Sequence, residues 1–210
     1  MKVEYVSIPS RSARAEYIAR RFRDYLTGSI LDVGCDRAAL RQLVPNVQYT
    51  GIDIGGAPDL VIDLEATERL PFDNEGFDCV VCSDVLEHLD HLHRNFAELV
   101  RVSKRHVIIS LPNNWTNARR PIERGRGSIG HYGLPAEPPA DRHKWFFSLG
   151  EPRLFVEAQA QKLSLSVVEL FAVEKPRFVL VRAFRRLRYA RQMDYLNRYA
   201  HSLWTVLRKG

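Results

Sequence analysis

The sequence has few cysteines, no long apolar run and no leader-like N-terminus. Its three cysteines are too few for a disulfide framework in 210 residues, so a reducing compartment is expected. Cys79 and Cys82 have no second pair to complete a zinc site, which predicts core packing for both. No apolar run approaches the roughly 18 residues that a membrane-spanning helix needs. Met1–Tyr5 lacks the basic-then-apolar order of a signal peptide, and we therefore expect a cytoplasmic protein.

Acidic residues are in the minority, and the basic excess is concentrated at one end. The formal net charge is +6. Residues 177–210 contain nine Lys or Arg against the single acid Asp194, so the remainder of the chain is slightly acidic. A basic surface fits nucleic acid, anionic lipid or a phosphorylated substrate, and charge alone does not distinguish these three partners.

Short apolar segments alternate with helical periodicity over the first half of the chain. The predicted strands there are 30–34, 47–53, 59–63, 77–82 and 107–111. Strands that alternate with helices predict an α/β fold with a mostly parallel sheet and helices on both faces. Residues 164–173 and 178–184 are predicted to form an antiparallel pair, which makes a seven-stranded sheet whose last strand is antiparallel.

Residues 113–147 interrupt this alternation. The part from 113 to 140 holds four prolines and four glycines, and a loop of that length in a compact domain is usually a lid or a binding loop. We expect one domain over 1–184 with an inserted lid or substrate loop at 113–147. A basic amphipathic helix is expected over 185–210.

The basic tail has an apolar stripe if it is helical. A helix through 185–208 would align Leu196, Tyr199, Leu203 and Leu207 beside several arginines. Packing against the domain is the ordinary role of such a stripe. Contact with anionic lipid at the inner membrane face, and packing in a homodimer, stay open as alternatives.

Glycine and acidic residues close three consecutive predicted strands. Asp32 and Gly34 end the first strand, Asp53 ends the second, and Asp63 ends the third. A glycine at the carboxyl end of the first parallel strand lets a ligand approach the backbone closely. A carboxylate about 20 residues later can accept both hydroxyls of a ribose, so the pattern indicates a cofactor that contains adenosine.

Six segments have a spacing that is characteristic of one enzyme family. They are 31–35, 51–53, 63–64, 70–72, 77–81 and 85–89. In this order the sequence resembles the class I S-adenosylmethionine-dependent methyltransferases, and most closely their small-molecule, type 11-like branch. The resemblance implies a Rossmann-like fold, S-adenosyl-L-methionine as cofactor, and methyl transfer as the activity.

The glycine loop departs from the pattern of that family. The family loop is commonly Gly-x-Gly-x-Gly, whereas this chain has Asp36 and Ala38 at the second and third glycine positions. Asp tolerates the left-handed backbone region better than most residues, and Ala adds only a methyl group. Cofactor binding is therefore expected to survive, with a non-catalytic protein of the same fold as an alternative.

The resemblance also assigns the cofactor-binding residues. The predicted set is Asp32, Gly34, Cys35, Asp53, Ile54, Asp63, Leu64 and Ser83. Gly34 would contact the methionine part, Asp53 the ribose, and Ile54 the adenine ring. Asp63 and Leu64 would flank the adenine edge, and Ser83 would face the sulfonium.

The catalytic candidates follow the fourth strand or lie in the insert. They are His88, His143 and Asp84, and His131 is a further histidine of the insert. Asp84, Glu87 and His88 fall at i, i+3 and i+4, and with His143 they could hold a divalent cation. The arrangement is similar to metal-dependent small-RNA 2′-O-methyltransferases and ubiquinone-pathway O-methyltransferases. Many methyltransferases carry the Glu-His pair without a metal, so a metal is not favoured.

We predict methyl transfer to a small-molecule, glycan or lipid-linked acceptor, on oxygen. An RNA 2′-O-methyltransferase is the alternative. Methylation of a base amino group is disfavoured, because Cys82–Val85 stands where such enzymes have an Asn- or Asp-Pro-Pro-aromatic motif, and nucleic acid is the less favoured partner. Aromatic residues of the insert either line an acceptor pocket or pack the lid; these are Trp115, Tyr132, Trp145, Phe146 and Phe147.

Overall fold

The computed structural model describes residues 1–139 and 141–210 as an α/β fold on one eight-stranded sheet. The strands are β1 Lys2–Tyr5, β2 Ser29–Val33, β3 Gln48–Asp53, β4 Leu60–Val61, β5 Phe77–Ser83, β6 Ser103–Pro112, β7 Leu165–Glu174 and β8 Ala200–Lys209. Their spatial order is β1-β7-β8-β6-β5-β2-β3-β4, and only β8 runs antiparallel to its neighbours. The Rossmann-like sheet with an antiparallel last strand is confirmed. Its extra strand is β1, which pairs with β7 at the edge.

Helices cover both faces of this sheet. They are α1 Arg11–Arg21, α2 Ala39–Leu43, α3 Leu92–Val102, α4 Asn114–Arg124, α5 Gly150–Lys162, α6 Val179–Arg186 and α7 Gln192–Tyr199, and a short 3-10 turn spans Leu86–His88. Among the residues described, none of these helices has the length and apolarity needed to cross a bilayer.

The interior strands are apolar on both faces because each face packs against helices. In β5, Val80 and Cys82 belong to the core beneath α3 and α5, while Cys79 and Val81 belong to the core beneath α1 and α2. A fully apolar strand is what a parallel sheet covered on both sides requires. The two cysteines therefore point to opposite faces and are unpaired core residues.

The last segment of the chain is a strand in the middle of the sheet, which corrects the helix predicted through residue 208. Helix α7 ends at Tyr199, and β8 then inserts between β6 and β7. Leu203 and Leu207 are buried in β8 and do not form a stripe with Leu196 and Tyr199. Burial of β8 on both faces removes the alternation that would have marked it as a strand.

Residues 178–184 were expected to pair with β7, and this expectation is wrong. They belong instead to helix α6 and its N-cap Phe178, while β8 occupies the antiparallel position beside β7. The β-branched run around Val179 and Val181 favours a strand locally. The longer pairing of β7 with β8 overrides that local preference.

The beginning of the insert is also helical rather than irregular. Helix α4 runs from Asn114 to Arg124 despite Pro121, and it ends at Gly125 in the left-handed conformation, φ 61°. Asn113, just before it, donates from its side-chain amide to the Ala200 carbonyl at 2.8 Å, and its backbone N–H donates to the His201 carbonyl at 2.7 Å. These bonds attach the insert to the C-terminal strand.

A substitution tests whether β8 is part of the core. Trp204 is 1% exposed, and its ring lies 5.5 Å from that of Phe22 and 5.3 Å from that of Tyr17. We expect Trp204→Ala to lower the free energy of unfolding by about 3 to 5 kcal/mol, the usual cost of emptying a buried aromatic site. Trp115→Ala, at a side chain that is 48% exposed, is the matched control and should cost about 1 kcal/mol or less. Equal losses in urea unfolding would contradict the placement of β8.

Candidate functional site

The carboxyl ends of β2, β3, β4 and β5 meet at one edge of the sheet, since these strands are parallel neighbours. Gly34 follows β2, Asp53 ends β3, and Ser83 ends β5. Asp63 lies two residues beyond β4. The edge of a parallel sheet outside its carboxyl ends is where α/β folds bind ligands. The predicted cofactor-binding residues therefore share one edge.

The loop after β2 adopts the conformation for which glycine is best suited. Gly34 has φ +76°, and a Cβ there would lie 2.2 Å from a methyl group of Val85. Asp36 and Ala38, which replace glycines of the family pattern, also have positive φ angles of 49° and 51°. A left-handed conformation costs a non-glycine residue roughly 1 to 2 kcal/mol, so the surrounding contacts hold this loop in place.

Asp53 supplies one of those contacts. One of its carboxylate oxygens accepts the Asp36 N–H at 2.8 Å, and the other accepts the N–H groups of Ile54 at 2.7 Å and Gly55 at 3.3 Å. The oxygen that accepts from Asp36 keeps a second lone pair for a ligand hydroxyl, and a second hydroxyl would compete with the long bond from Gly55. The next side chain, Ile54, is 68% exposed and offers an apolar surface beside this carboxylate.

The remaining predicted cofactor residues divide into capping and buried groups. Asp63 accepts the N–H of Glu65 at 2.8 Å, so it caps the turn after β4 as well as facing solvent. Leu64 and Cys35 are buried. Asp32 is buried too, and the hydroxyl of Tyr49 donates to its carboxylate at 2.6 Å.

Asp84 lies at the same edge but is held by partners of its own. The Arg14 guanidinium forms an ion pair with it at 2.7 Å, and the Ser110 hydroxyl donates to it. The hydroxyls of Ser83 and Ser110 lie 2.8 Å apart, and Asp84 itself has φ +50°. The structure brings the other three metal-ligand candidates together, and Asp84 does not belong to that cluster.

The other three candidates converge on one point. Ligand atoms of Glu87, His88 and His143 all lie within 4.8 Å of one another. Glu87 is 1% exposed, and among the described residues neither of its carboxylate oxygens has a hydrogen-bond partner. Burial raises the pKa of Glu87 well above its usual value, and nearby Asp84 adds to the rise. An unpaired buried carboxyl is costly and indicates a functional site.

His88 is oriented by an acid that the sequence analysis missed. Its Nδ1 lies 2.6 Å from a carboxylate oxygen of Asp141, and its Nε2 lies 3.8 Å from Glu87. The same Asp141 lies 3.6 Å from His131. The contact with Asp141 is a short ion-pair distance without hydrogen-bond geometry, since Nδ1 has no hydrogen-bond partner among the described residues. A carboxylate this close favours the ring proton at Nδ1, with Nε2 toward Glu87. No sequence motif identified Asp141, because only folding of the insert brings it to the helix after β5.

His143 is neutral and has two neighbours at Nδ1. Burial, with the neighbouring His88 and His131, lowers the pKa of His143 to about 4. The Asn114 amide nitrogen lies 3.1 Å and the Tyr132 hydroxyl 3.2 Å from Nδ1. The Asn114 amide oxygen accepts the Phe147 N–H, so its amide nitrogen is the group that donates to His143 Nδ1. Nδ1 is then the acceptor, and the proton of the neutral ring lies at Nε2.

Residues 144–147 dock the insert onto the turn that carries Glu87. The backbone N–H of Lys144 donates to the Glu87 carbonyl at 2.8 Å, and the Lys144 amine pairs with Asp90 at 2.8 Å. The indole of Trp145 donates to the Leu89 carbonyl at 2.7 Å. These bonds explain why His143 reaches His88 although they are far apart in the sequence.

An apolar cavity of about 480 Å³ lies between α4 and α7, and one of its lining residues, Phe146, follows His143 by three positions. It is lined by Trp115 and Ile122 of α4, by Phe146 of the insert and by Tyr189. Arg119 and Arg198 also line it, and each forms an ion pair with Glu123. Of the aromatic residues expected at an acceptor pocket, Trp115 and Phe146 are therefore lining residues. Phe147 is 9% exposed and belongs to the core.

The buried acid Asp32 makes stability depend on pH. Burial raises its pKa to about 6, above the value of 3.8 expected for the unfolded chain. As pH rises, the unfolded chain loses the Asp32 proton near pH 4, before the folded protein does. The free energy of unfolding therefore falls between about pH 4 and about pH 6, by at most about 3 kcal/mol. Asp32→Asn should lack this loss, and urea titrations at several pH values measure it. The exposed Asp24→Asn is the control, and parallel pH profiles for wild type and Asp32→Asn would contradict the assignment.

Comparisons with known proteins identify the family. A family model described as a methyltransferase domain matches residues 10–158, whereas no curated protein sequence matches the chain.

A SAM-dependent methyltransferase from Archaeoglobus fulgidus is similar in structure, with TM-score 0.61, 17% identity and 95% of each chain covered. The small RNA methyltransferase HEN1 is similar over the whole of this chain, which spans 26% of HEN1, with TM-score 0.60 and 17% identity. The magnesium protoporphyrin IX methyltransferase of Synechocystis PCC 6803 with bound SAH has TM-score 0.56 and 14% identity, over 95% of this chain and 83% of that one. The chain belongs to the class I S-adenosylmethionine-dependent methyltransferases.

Proposed function

We propose that this enzyme methylates a hydroxyl oxygen of a small-molecule, glycan or lipid-linked acceptor. One observation carries the proposal: the buried carboxyl of Glu87, without a hydrogen-bond partner among the described residues, faces His88 and His143. A hydroxyl must lose its proton as its oxygen attacks the methyl carbon and the carbon–sulfur bond breaks. Neutral imidazoles and an uncompensated carboxyl are the groups that such a site needs.

The same three side chains suit a divalent cation. One carboxylate and two imidazoles form a ligand set for such ions, and the unpartnered oxygens of Glu87 are an independent sign of a missing positive charge. A cation held there would lower the pKa of a hydroxyl bound to it. Nε2 of His88 lies 3.8 Å from Glu87, whereas a cation at Nε2 of His143 would require the proton of that ring to move to Nδ1. The convergence of the three side chains favours a cation more than the spacing of the sequence did.

The cofactor is S-adenosylmethionine, and we assign its position from the strand ends. Gly34 lies against the methionine part, Asp53 accepts the ribose hydroxyls, and Ile54 packs on the adenine ring. Asp63 and Leu64 take the adenine edge. Cys35 and Asp32 support the loop from the core side.

Near the reacting atoms, Ser83 and Asp84 flank the place of the sulfonium. Asp84 is paired with Arg14, so its charge is largely compensated. We therefore assign proton transfer to the Glu87 cluster and a positioning role to Asp84.

We infer the acceptor class from the cavity between α4 and α7. Half of its lining residues are aromatic or aliphatic and most of its exposed lining surface is apolar, and Glu123 pairs with both of its arginines, Arg119 at 3.1 Å and Arg198 at 2.7 Å. Such a cavity suits an acceptor with an apolar portion better than a phosphate backbone. Transfer to a ribose hydroxyl of RNA is the second candidate, since the structural similarity to HEN1 covers the whole chain.

A first prediction concerns the cofactor. Asp53→Ala should weaken S-adenosylmethionine binding by about 2 to 3 kcal/mol, the scale of hydrogen bonds to a charged group. Isothermal titration calorimetry measures the affinity, and circular dichroism checks the fold. Asp24→Ala, at an exposed acid far from the edge, is the control. An unchanged affinity in folded Asp53→Ala protein would remove Asp53 from the site.

A second prediction concerns the Glu87 cluster and uses Mn²⁺ as the probe. Glu87→Gln and His143→Ala should abolish Mn²⁺ binding in calorimetry and methyl transfer in assays, while S-adenosylmethionine binding persists. Asp141→Ala should weaken Mn²⁺ binding roughly 10- to 100-fold, since it removes only the orientation of His88. The exposed His91→Ala is the control.

The outcome separates the two forms of the proposal. If wild type binds no Mn²⁺ but Glu87→Gln abolishes transfer, the cluster acts as a base without a cation. Full activity of both cluster variants would contradict the proposed site. Labelled methyl transfer to lipid, glycan, small-molecule and RNA fractions tests the acceptor, and label in RNA alone would favour the second candidate.

A further inference from the structure

Helix α6 turns its apolar side chains toward solvent. Phe178 at its N-cap is 87% exposed, Leu180 is 83%, Phe184 is 60% and Leu187, just after it, is 84%. Within α6, whose residues are all described, no side chain is buried. Solvent-facing apolar side chains concentrated on one short helix form a patch that usually marks an interaction surface.

The arginines of the same helix face the protein. The Arg182 guanidinium lies 3.7 Å from the centre of the Tyr5 ring, and that of Arg185 lies 4.7 Å from the centre of the Tyr199 ring. Arg186 donates to a backbone carbonyl just after the helix. In an ordinary surface helix the apolar side faces the core and the charged side faces water. Here that arrangement is reversed, and cation–π contacts hold the helix to the body.

The flanks of α6 carry charge of a single sign. Residues 175–191 contain seven cationic side chains and no acid. Four of them, Lys175, Arg177, Arg188 and Arg191, are exposed on either side of the apolar residues. Exposed cations bordering an apolar helix face complement anionic lipid headgroups above an acyl interior.

The position of α6 relates this surface to the active site. Helix α6 follows the carboxyl end of β7, and β7 is parallel to the strands whose carboxyl ends form the cofactor edge. Tyr189, three residues beyond α6, lines the apolar cavity that we propose for the acceptor. A surface that binds α6 would therefore lie near the entrance for the acceptor.

We propose that residues 177–191 bind the surface of an anionic lipid bilayer, with the apolar face of α6 inserted at the boundary between headgroups and acyl chains. This relocates the membrane contact that the sequence suggested for 185–208, because β8 takes the later part of that segment into the sheet. The surface is separate from the methyl-transfer site and does not depend on the identity of the acceptor.

Flotation of the full chain with vesicles tests the proposal. Wild type should bind vesicles of phosphatidylcholine with phosphatidylglycerol, bind pure phosphatidylcholine far less, and lose binding as salt increases. The triple variant Phe178→Ser, Leu180→Ser and Leu187→Ser should lose binding to anionic vesicles. The triple variant Arg177→Gln, Arg188→Gln and Arg191→Gln should bind roughly 100-fold more weakly, from the usual contribution of each cation near an anionic surface.

A control variant removes three exposed apolar side chains elsewhere on the surface. Leu43, Leu134 and Leu154 are 42%, 100% and 65% exposed and lie outside α6 and its flanks. Their combined replacement by Ser should leave vesicle binding unchanged. S-adenosylmethionine affinity should be unchanged in all three triple variants, which shows that each is folded and separates this test from that of the proposed function.

Three results would overturn the proposal. Failure of wild type to bind anionic vesicles at low salt would exclude a membrane role for α6. Equal binding by wild type and the α6 serine variant would place the membrane contact elsewhere. Concentration-dependent self-association that the serine variant abolishes, without vesicle binding, would assign the apolar face to a second copy of this chain.

Discussion

The insertion of β8 between β6 and β7 is the constraint on which the active site depends. The first two residues of β8, Ala200 and His201, accept hydrogen bonds from Asn113, and this fixes the point where the insert leaves the sheet. The next residue, Asn114, contacts His143 and also accepts the N–H of Phe147 at 3.1 Å. The C-terminal strand thus determines where a histidine of the insert lies. Without β8, the hydrogen bonds of Asn113 would be absent, and nothing would fix where the segment that carries His143 begins.

The buried carboxyl of Glu87 is a local exception to the rules that stabilise the rest of the molecule. Elsewhere buried acids have partners: Asp32 has Tyr49, and Glu174 accepts the hydroxyl of Tyr195 at 2.8 Å. Glu87 faces the imidazoles of His88 and His143 instead, and its oxygens have no hydrogen-bond partner among the described residues. Proteins retain such costly arrangements mainly at sites of function, where a substrate or ion supplies the missing interaction. For this reason our proposal takes the cluster, more than the glycine loop, as the catalytic part of the edge.

Helix α6 is a second exception, and its cause is also β8. Because β1 and β8 occupy both sides of β7, the residues after β7 cannot pair with it. They form a short helix that arginines attach to Tyr5 and Tyr199. The apolar side chains left outside belong to no core cluster among the described residues. Membrane contact would give this face the partner that the domain does not provide.

The sequence by itself determined the first half of the fold and the edge at which the cofactor lies. Strong apolar runs such as 77–82 and acids at strand ends such as Asp53 are local signals, because each depends only on its own strand and turn. The family pattern then indicated Glu87 and His88 directly. The positive φ angles of Asp36 and Ala38 agree with the glycines that they replace.

Tertiary contacts alone decided the structure of the second half of the chain. Local preference favoured a strand at 178–184 and a helix at 200–208, and both were reversed because one sheet position can hold only one strand. Asp141 and Tyr132 joined the site through folding of an insert that has no regular pattern. Asp84 has the right spacing for a ligand, yet it pairs with Arg14 from α1. Partners that are distant in the chain leave no periodic signal, so contacts of this kind are fixed by packing alone.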